Sequence, residues 1–333
     1  MKRIRKNLEK FGPIDLFDTL SRKHGLRLGD ASSQERLLDS VSKLFRESTD
    51  NPIVLHGRRV QAMFGYVVAS LGKSVAIKEE DVGELFAAIN PIQVPDYRIV
   101  LEPGNEFLVE VKNFHQKKPS SKLKFTAGYT RALHNYGQVF ARPVKLAIYW
   151  SRWNRWTLVS LDKLSPDGGQ RSISFLEAVT INEMATLGDI NIGTKPPLIL
   201  KVLTDSSKPR TVQENGQVGF TIGGIELYSA ETRIDDEYER NLAFYFMLYG
   251  DWPASEPEAR IEDGHLISLD FVAAPIESTP GQGFEFIGDL SGMISRRYND
   301  LTTSEGHIDR LSPSNEPSPD YSRCAVKGSV SVD

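Results

Sequence analysis

The chain has 333 residues, 40% of them hydrophobic and 25% charged, which is an ordinary globular composition and a length that suggests about two domains. A net charge of −4 excludes a uniformly basic nucleic-acid binder, although a local basic groove is compatible with it. A single cysteine, Cys324, excludes an internal disulfide framework and a cysteine-based zinc site. The basic N-terminus lacks the apolar core of a signal peptide, and no apolar run reaches the roughly 18 residues of a membrane span, so we expect a cytoplasmic protein with no membrane partner.

The first segment, residues 1–50, is charged and carries apolar residues at helical spacing, which predicts an N-terminal helical segment with Ser32 or Ser33 as an N-cap. The next stretch, GRRVQAMFGYVVASLG at residues 57–72, repeats apolar residues at the spacing of one helix face. Gly72 is a suitable residue to end it. We therefore expect a helix whose apolar face is buried.

Residues 51–165 alternate between strand and helix patterns and form the expected first domain. Within them, KFTAGYTRALHNYGQVFA is predicted to be a helix, and PVKLAIYWS and RWTLVSL are predicted to be strands. The fold class that this alternation indicates is α/β (α+β).

A change of texture near residue 165 predicts a domain boundary. Residues 166–302 are punctuated by glycine and proline and rich in strand patterns, with helices at DEYERNLAFYFMLYG and near GDLSGMISRRYNDL. They predict a β-rich α+β domain, whose role would be recognition of a substrate, a partner or another subunit. Residues 303–333 turn to serine, proline and charge, which predicts a flexible tail.

One hairpin, VPDYRIVLEPGNEFLVEVKNFHQ at residues 94–116, carries charged residues among apolar ones. Alternate residues of a strand share a face, so Glu110 and Lys112 point one way together with Leu108, and their odd-numbered neighbours point the other way, into a core. The stretch predicts a strand with a carboxylate and an ammonium on one face.

Whether Asp96 joins that face depends on the turn. A two-residue loop, Pro103-Gly104, would pair Asp96 with Val111 and send its side chain to the opposite face. Pro-Gly suits a type II turn, however, which splays hairpin strands and is disfavoured in two-residue loops. We therefore expect a loop of three residues, 103–105, which pairs position 96 with position 112 and makes the three charged groups converge.

Two carboxylates and a lysine in one place have a chemical use. Neighbouring carboxylates raise each other's pKa unless a cation lies between them, and a hard divalent ion prefers oxygen ligands from one or two carboxylates. Such an ion activates water and neutralises charge at phosphorus, and a nearby lysine can orient or deprotonate that water. The alternative is a solvated strand face that carries an ordinary salt bridge.

The spacing of PD and, one hairpin later, EVK resembles the PD-(D/E)XK nuclease superfamily over residues of about 50–165. The resemblance implies the restriction-endonuclease-like fold, with a central mixed sheet flanked by helices. The resemblance implies that Asp96 and Glu110 bind the metal, together with the backbone carbonyl of Val111, and that Lys112 positions or activates the attacking water. It implies Mg²⁺ as the cofactor, with Mn²⁺ as a second candidate.

The sequence departs from that pattern on the first helix, where many superfamily members carry an acidic residue. Gln61 stands there as a candidate accessory residue, which can bond a metal-bound water but brings no charge. Glu79, Glu80 and Asp81, after the next expected strand, are substitutes, although a run of charges after a strand is usually a solvated loop. The number of metal ions therefore stays open.

Cations near the hairpin suit a nucleic-acid partner. Four lysines follow Lys112 and are candidates for phosphate contacts, and WSRWNRW mixes two arginines with three tryptophans that could stack on bases. The alternative role of the tryptophans is packing in the core. His115 could contact phosphate, and its alternative role is structural. The candidate nucleic-acid contacts are Lys117, Lys118, Lys122, Lys124, Arg152 and Arg155.

The function expected from the sequence is a divalent-metal-dependent endonuclease that hydrolyses phosphodiester bonds of DNA through a metal-activated water. The alternatives are an inactive nucleic-acid-binding or scaffold protein with the same fold, and an RNA nuclease. The intact set of Asp96, Glu110 and Lys112 favours the first. A homodimer is compatible with the sequence.

Overall fold

The computed structural model describes residues 13–80, 85–214 and 216–314. Asp81 and Cys324 lie outside the described residues. The helices are α1 (Pro13–His24), α2 (Ala31–Thr49), α3 (Pro52–Leu71), α4 (Ala127–Val139), α5 (Phe175–Thr180), α6 (Glu237–Tyr249) and α7 (Leu290–Thr302). The strands are β1 (Ala76–Glu79), β2 (Tyr97–Glu102), β3 (Asn105–Phe114), β4 (Lys122–Thr126), β5 (Val144–Trp150), β6 (Arg155–Ser160), β7 (Ser165–Asp167), β8 (Gln170–Ser174), β9 (Asn191–Thr194), β10 (Leu198–Thr204), β11 (Ile222–Ser229), β12 (Thr232–Arg233), β13 (Glu258–Glu262), β14 (His265–Ala273), β15 (Glu285–Asp289), β16 (Thr303–Ser304) and β17 (His307–Ile308).

Polar caps set the ends of the N-terminal helices. The N-cap of α2 is Asp30 rather than Ser32 or Ser33, because the Asp30 carboxylate accepts the backbone N–H of Ser32 at 3.0 Å and both serine hydroxyls. Asn51 caps α3, which therefore begins earlier than expected, at Pro52. Gly72, at φ 79°, ends α3 as the sequence predicted.

A five-stranded mixed sheet positions the hairpin. Its strand order is β1-β2-β3-β5-β6, and β3 and β5 are parallel while the other neighbours are antiparallel. Both faces are covered: Val109 packs with α3 and α7, and Leu108 packs with α4 on the other side. The predicted fold class, α/β (α+β) with a central mixed sheet flanked by helices, is confirmed, and this arrangement is consistent with a restriction-endonuclease-like fold.

The hairpin turn and its strand register differ from the expected ones. The expectation of a three-residue loop was wrong, because Glu102 pairs with Asn105 across a two-residue Pro103-Gly104 turn in which Gly104 has φ 85°. A bulge at Leu101 then shifts the pairing by one residue, so that Tyr97 faces Val109. If this register continues by one residue, Asp96 lies opposite Glu110. The bulge, and not a three-residue loop, therefore brings Asp96 to the same face as Glu110 and Lys112.

Residues beyond 165 form a second sheet with its own core and also contribute to the core of the mixed sheet. A second, antiparallel sheet has the order β12-β11-β10-β14-β13 and shares a core with α6 around Leu198, Phe246 and Trp252. Helix α7, in contrast, contributes Ile294 and Tyr298 to the core of the mixed sheet. The domain boundary near residue 165 stays a prediction, and the two hydrophobic cores that cover the faces of the mixed sheet both cross it.

The described part of the predicted tail is ordered. Residues 303–308 form the small β16–β17 hairpin, and the Tyr298 hydroxyl donates to the carbonyl of Leu311. Tyr298 is fully buried, so this hydrogen bond joins the segment to α7. The flexible tail from residue 303 stays a prediction. No helix among the described residues is long and apolar enough to cross a membrane.

Candidate active site

A cleft of about 920 Å³ lies between the first half of α3 and the C-terminal half of β3. Gln61 of α3 lines one wall, and Glu110, Val111 and Lys112 of β3 line the other. Asp96, which comes immediately before β2, also borders the cleft. The structure therefore brings together the three charged residues that the sequence predicted as catalytic, in a space large enough for a ligand.

Asp96 is held at the edge of the sheet by the backbone. Its Oδ2 accepts the N–H of Val111 at 2.7 Å, and its own carbonyl accepts the N–H of Glu80 at 3.0 Å. Burial and the charge of Glu110 raise the pKa of Asp96 to about 7, against the opposing effects of the Val111 hydrogen bond, Lys112 and Arg58. The two carboxylates thus lie close enough to repel each other.

Glu110 is buried, with 5% of its surface exposed, and has two side-chain donors. Lys112 Nζ lies 2.6 Å from Glu110 Oε1, and the hydroxyl of Tyr129 donates to the same oxygen. A buried carboxylate is stable only when it is paired and hydrogen-bonded. These donors fix the orientation of Glu110 toward the cleft.

Tyr129 is a site residue that the sequence did not single out. It lies in the first turn of α4, whose N-cap Thr126 accepts the Tyr129 N–H at 3.2 Å. Its ring stacks on Phe125 and lies 4.9 Å from Lys112 Nζ, in cation–π contact. Burial and the carboxylate of Glu110 raise the pKa of Tyr129, so its hydroxyl stays a proton donor.

The donor set fits one hard divalent cation. Asp96 and Glu110 supply two carboxylates, and a Mg²⁺ site commonly uses one or two carboxylates and completes its shell with water and phosphate. Burial is the main cause of the raised pKa of Asp96, and repulsion by Glu110 adds to it; a cation between the carboxylates would relieve that repulsion. Within residues 13–80, 85–214 and 216–314, no group of three or more His, Cys, Asp or Glu side chains is placed to hold a metal ion. The residues present therefore fit a two-carboxylate site rather than a closed protein cage.

The accessory candidates separate in space. Gln61 lines the cleft, where its Oε1 accepts from Arg58 Nη1 at 3.2 Å. Glu80 instead points to the α4 side of the sheet, where it lies 2.9 Å from Arg98 Nε and accepts the Tyr136 hydroxyl at 2.9 Å. Glu80 is therefore a structural partner in the sheet, and Gln61 keeps its place beside the carboxylates.

The predicted lysine contacts lie outside the residues that line the cleft. Lys117, Lys118 and Lys122 are exposed on the segment that follows β3 and in β4. Lys124 Nζ is 3.1 Å from Asp167 Oδ2, in a surface ion pair. Their role in binding nucleic acid stays a prediction.

The arginines and tryptophans of WSRWNRW fall into two groups. Arg152 is exposed, but Arg155 contacts Asp251 and lies 2.9 Å from Asp289 Oδ2, so its guanidinium joins β6 to the second half of the chain. Trp150 and Trp156 are buried, which confirms the core-packing alternative for both rings. The charge of Arg155 is thus paired with carboxylates, and the role of Arg152 and Arg155 in binding nucleic acid stays a prediction.

Other residues that line the cleft lie outside the PD and EVK motif. His56 and Arg58, from the start of α3, and Asn113 line the cleft, as does His115, whose Nδ1 lies 3.0 Å from the Ser151 hydroxyl. The α3 residues are distant in sequence from EVK, and no spacing rule connects them to it. Only the fold places this helix against the strand.

Comparison with known proteins yields a distant structural likeness. No protein-family model matches the chain, and no curated protein matches it. Among solved structures, the chain is similar to Hjc, a Holliday junction resolvase of the archaeal hyperthermophile Archaeoglobus fulgidus, with 17% identity and a TM-score of 0.26, over 32% of this chain and 84% of that one. A likeness this distant leaves the function to the geometry of the site.

Proposed function

We propose that this chain is a divalent-metal-dependent nuclease that hydrolyses phosphodiester bonds, with DNA as its expected substrate. The observation that carries the proposal is the convergence of Asp96, Glu110 and Lys112 on one wall of an open cleft. Carboxylates crowded together at a ligand-sized cleft are suited to binding a cation and a phosphate.

Each residue has a role that its contacts support. Asp96 and Glu110 would hold Mg²⁺ or Mn²⁺, with the Val111 carbonyl as a further ligand; the ion supplies activation of water and neutralisation of charge at phosphorus. Lys112, beside Glu110, orients the attacking water and offsets negative charge in the transition state. Tyr129 keeps Glu110 in place, and Gln61 is positioned to bond a water in the cleft.

The test is incubation of the full chain with plasmid, single-stranded DNA and RNA in Mg²⁺, in Mn²⁺ and in EDTA. We expect cleavage of DNA with either ion and none in EDTA. Asp96→Asn serves as the matched variant, because it keeps the shape and an acceptor oxygen for Val111 N–H but removes the ligand charge; we expect it to lose activity.

Three results would change the proposal. Binding without cleavage of any nucleic acid would favour the scaffold alternative, and cleavage of RNA alone would favour an RNA nuclease. Cleavage by Asp96→Asn at the wild-type rate would show that this cluster is not the active site. A homodimer and a cytoplasmic location stay predictions from the sequence.

A further inference from the structure

Gly57 is an interior helical glycine that the packing of the protein does not require. It lies in α3 and lines the cleft one helical turn before Gln61. Glycine is the least favourable helix residue after proline. A Cβ added at Gly57 would meet no heavy atom within 4 Å among the described residues, whereas a Cβ at Gly65 of the same helix would lie 3.0 Å from the Tyr97 hydroxyl. Close packing therefore accounts for Gly65 and leaves Gly57 without a reason inside the fold.

The cleft beside Gly57 is open, and basic residues line it together with the two carboxylates. His56 and Arg58 line the same side of the cleft, and Lys112 and His115 lie on the other. Arg58 is exposed and makes no ion pair with any described residue; its guanidinium bonds only the neutral Gln61 amide oxygen in that part of the chain. A guanidinium that has no carboxylate within ion-pair distance among the described residues, and that lies beside a position without a side chain, is suited to an anionic ligand that approaches the helix backbone closely.

We propose that the face of α3 at Gly57 is the surface on which the sugar–phosphate backbone of the nucleic acid docks, with Arg58 contacting a phosphate. The proposal rests on the nuclease function above and names the substrate-binding wall of that site. Any side chain at position 57 would occupy the space through which the strand approaches the carboxylates. The lysines after β3 then lie outside the primary contact.

The test measures binding of a labelled DNA duplex by fluorescence anisotropy in Mg²⁺, with Lys112→Met as the non-cleaving background, and cleavage in the unmodified background. We expect Gly57→Leu to weaken binding by about ten-fold or more and Gly57→Ala by about two-fold, since overfilling a fitted contact has this order of cost. Because leucine and alanine favour helix over glycine, both variants should keep or raise the melting temperature, by roughly 1–3 °C. A purely structural role for Gly57 would lower it.

Gly128 in α4 is the matched control, because a Cβ there also meets no described heavy atom within 4 Å and the residue lies outside the cleft lining. Gly128→Leu should bind within two-fold of the parent. Arg58→Gln should lower the slope of log Kd against log salt by about one, as expected for one phosphate contact.

Two outcomes separate this proposal from the nuclease function. If the unmodified chain cleaves DNA and Gly57→Leu binds and cleaves as Gly128→Leu does, the docking surface is wrong and the nuclease stands. If the unmodified chain cleaves nothing but Gly57→Leu alone loses DNA binding, the docking surface stands and the nuclease function fails.

Discussion

Two pairs of acidic residues in this molecule share the same electrostatic problem and solve it differently. Asp96 and Glu110 form one pair at the cleft, and Asp189 and Asp289 form the other where β9, β15 and α7 meet. In each pair one pKa is raised to about 7, that of Asp96 and that of Asp189, by burial and by the neighbouring carboxylate. A raised pKa alone therefore does not distinguish a reactive site from a structural one.

The partners make the distinction. Asp189 accepts the N–H of Ser291 at 2.9 Å and its hydroxyl at 2.7 Å, while Asp289 caps α7 and pairs with Arg155. The pair at the cleft has an ammonium and a tyrosine hydroxyl on Glu110, and it borders open space that a cation and a phosphate can enter. Access to the cleft, and not the pKa, is what distinguishes the pair for which we propose a function.

The largest effect is expected from Lys112→Met. Methionine keeps an unbranched stem of similar bulk, so the strand should stay packed while the ammonium that orients water is lost. The cleavage rate should fall by about 10²–10⁴-fold with DNA binding largely retained. Lys145→Met is the matched control, because Lys145 also pairs with a glutamate, Glu183, and lies over a ring, that of Phe107, but outside the cleft lining. Equal rates for both variants and the wild type would make Lys112 a salt-bridge partner only.

Arg155→Met breaks the structural pair instead. Removal of the guanidinium leaves Asp289 without its cation and Asp251 with Arg296 alone. The free energy of unfolding should fall by about 3 kcal/mol, which is typical when one partner of a largely buried pair is removed. Urea unfolding measures the change, and Arg152→Met, at an exposed position three residues earlier, should change it by less than about 0.5 kcal/mol. A loss of DNA affinity in Arg155→Met without a loss of stability would contradict the structural role.

The pH dependence of stability sharpens the comparison further. Because the pKa of Asp189 is raised from 3.8 to about 7 in the folded protein, its contribution to stability is fully present below about pH 4 and is lost as the pH rises through 7. Asp189→Asn cannot ionise, so its stability relative to wild type should improve between pH 4 and pH 8, by on the order of 4 kcal/mol. Urea unfolding at a series of pH values would show this, and a difference that stays flat with pH would contradict it.

The smallest effect is expected from Tyr129→Phe, which removes the hydroxyl that donates to Glu110 and keeps the ring beside Lys112. The cleavage rate should fall by about ten-fold and half-saturation should need several-fold more Mg²⁺, since one hydrogen bond to a charged group is lost. Tyr136→Phe is the matched control on the same helix, because its hydroxyl donates to Glu80 instead. If both variants responded alike to Mg²⁺, Tyr129 would have no special role in holding Glu110.

The sequence was sufficient to predict features that depend on neighbouring residues of the same strand or helix. Strand alternation in EVK correctly predicted that Glu110 and Lys112 share a face, and the alternating patterns correctly predicted β5, β6, α6 and the flanked sheet. The convergence of Asp96 was predicted with the wrong turn, because a bulge at Leu101 has no signature in a hairpin that is apolar on both sides.

What the sequence could not show depends on contacts between distant segments. The partners of Arg155 lie in the second half of the chain, so the arginine looked free in WSRWNRW. Tyr129 reaches Glu110 only because α4 packs across β3, and Gly57 becomes informative only when α3 is seen to line the cleft. Each of these needs the tertiary fold, in which helices cover both faces of the sheet.

The most direct test of the central claim is the number of Mn²⁺ ions bound per chain, measured by titration with electron paramagnetic resonance. The two-carboxylate site predicts one ion for the wild type and for Asp189→Asn, and none at the same concentrations for Asp96→Asn. If Asp96→Asn bound Mn²⁺ as the wild type does, or if Asp189→Asn alone lost the ion, the acidic pair at the cleft would not be the metal site.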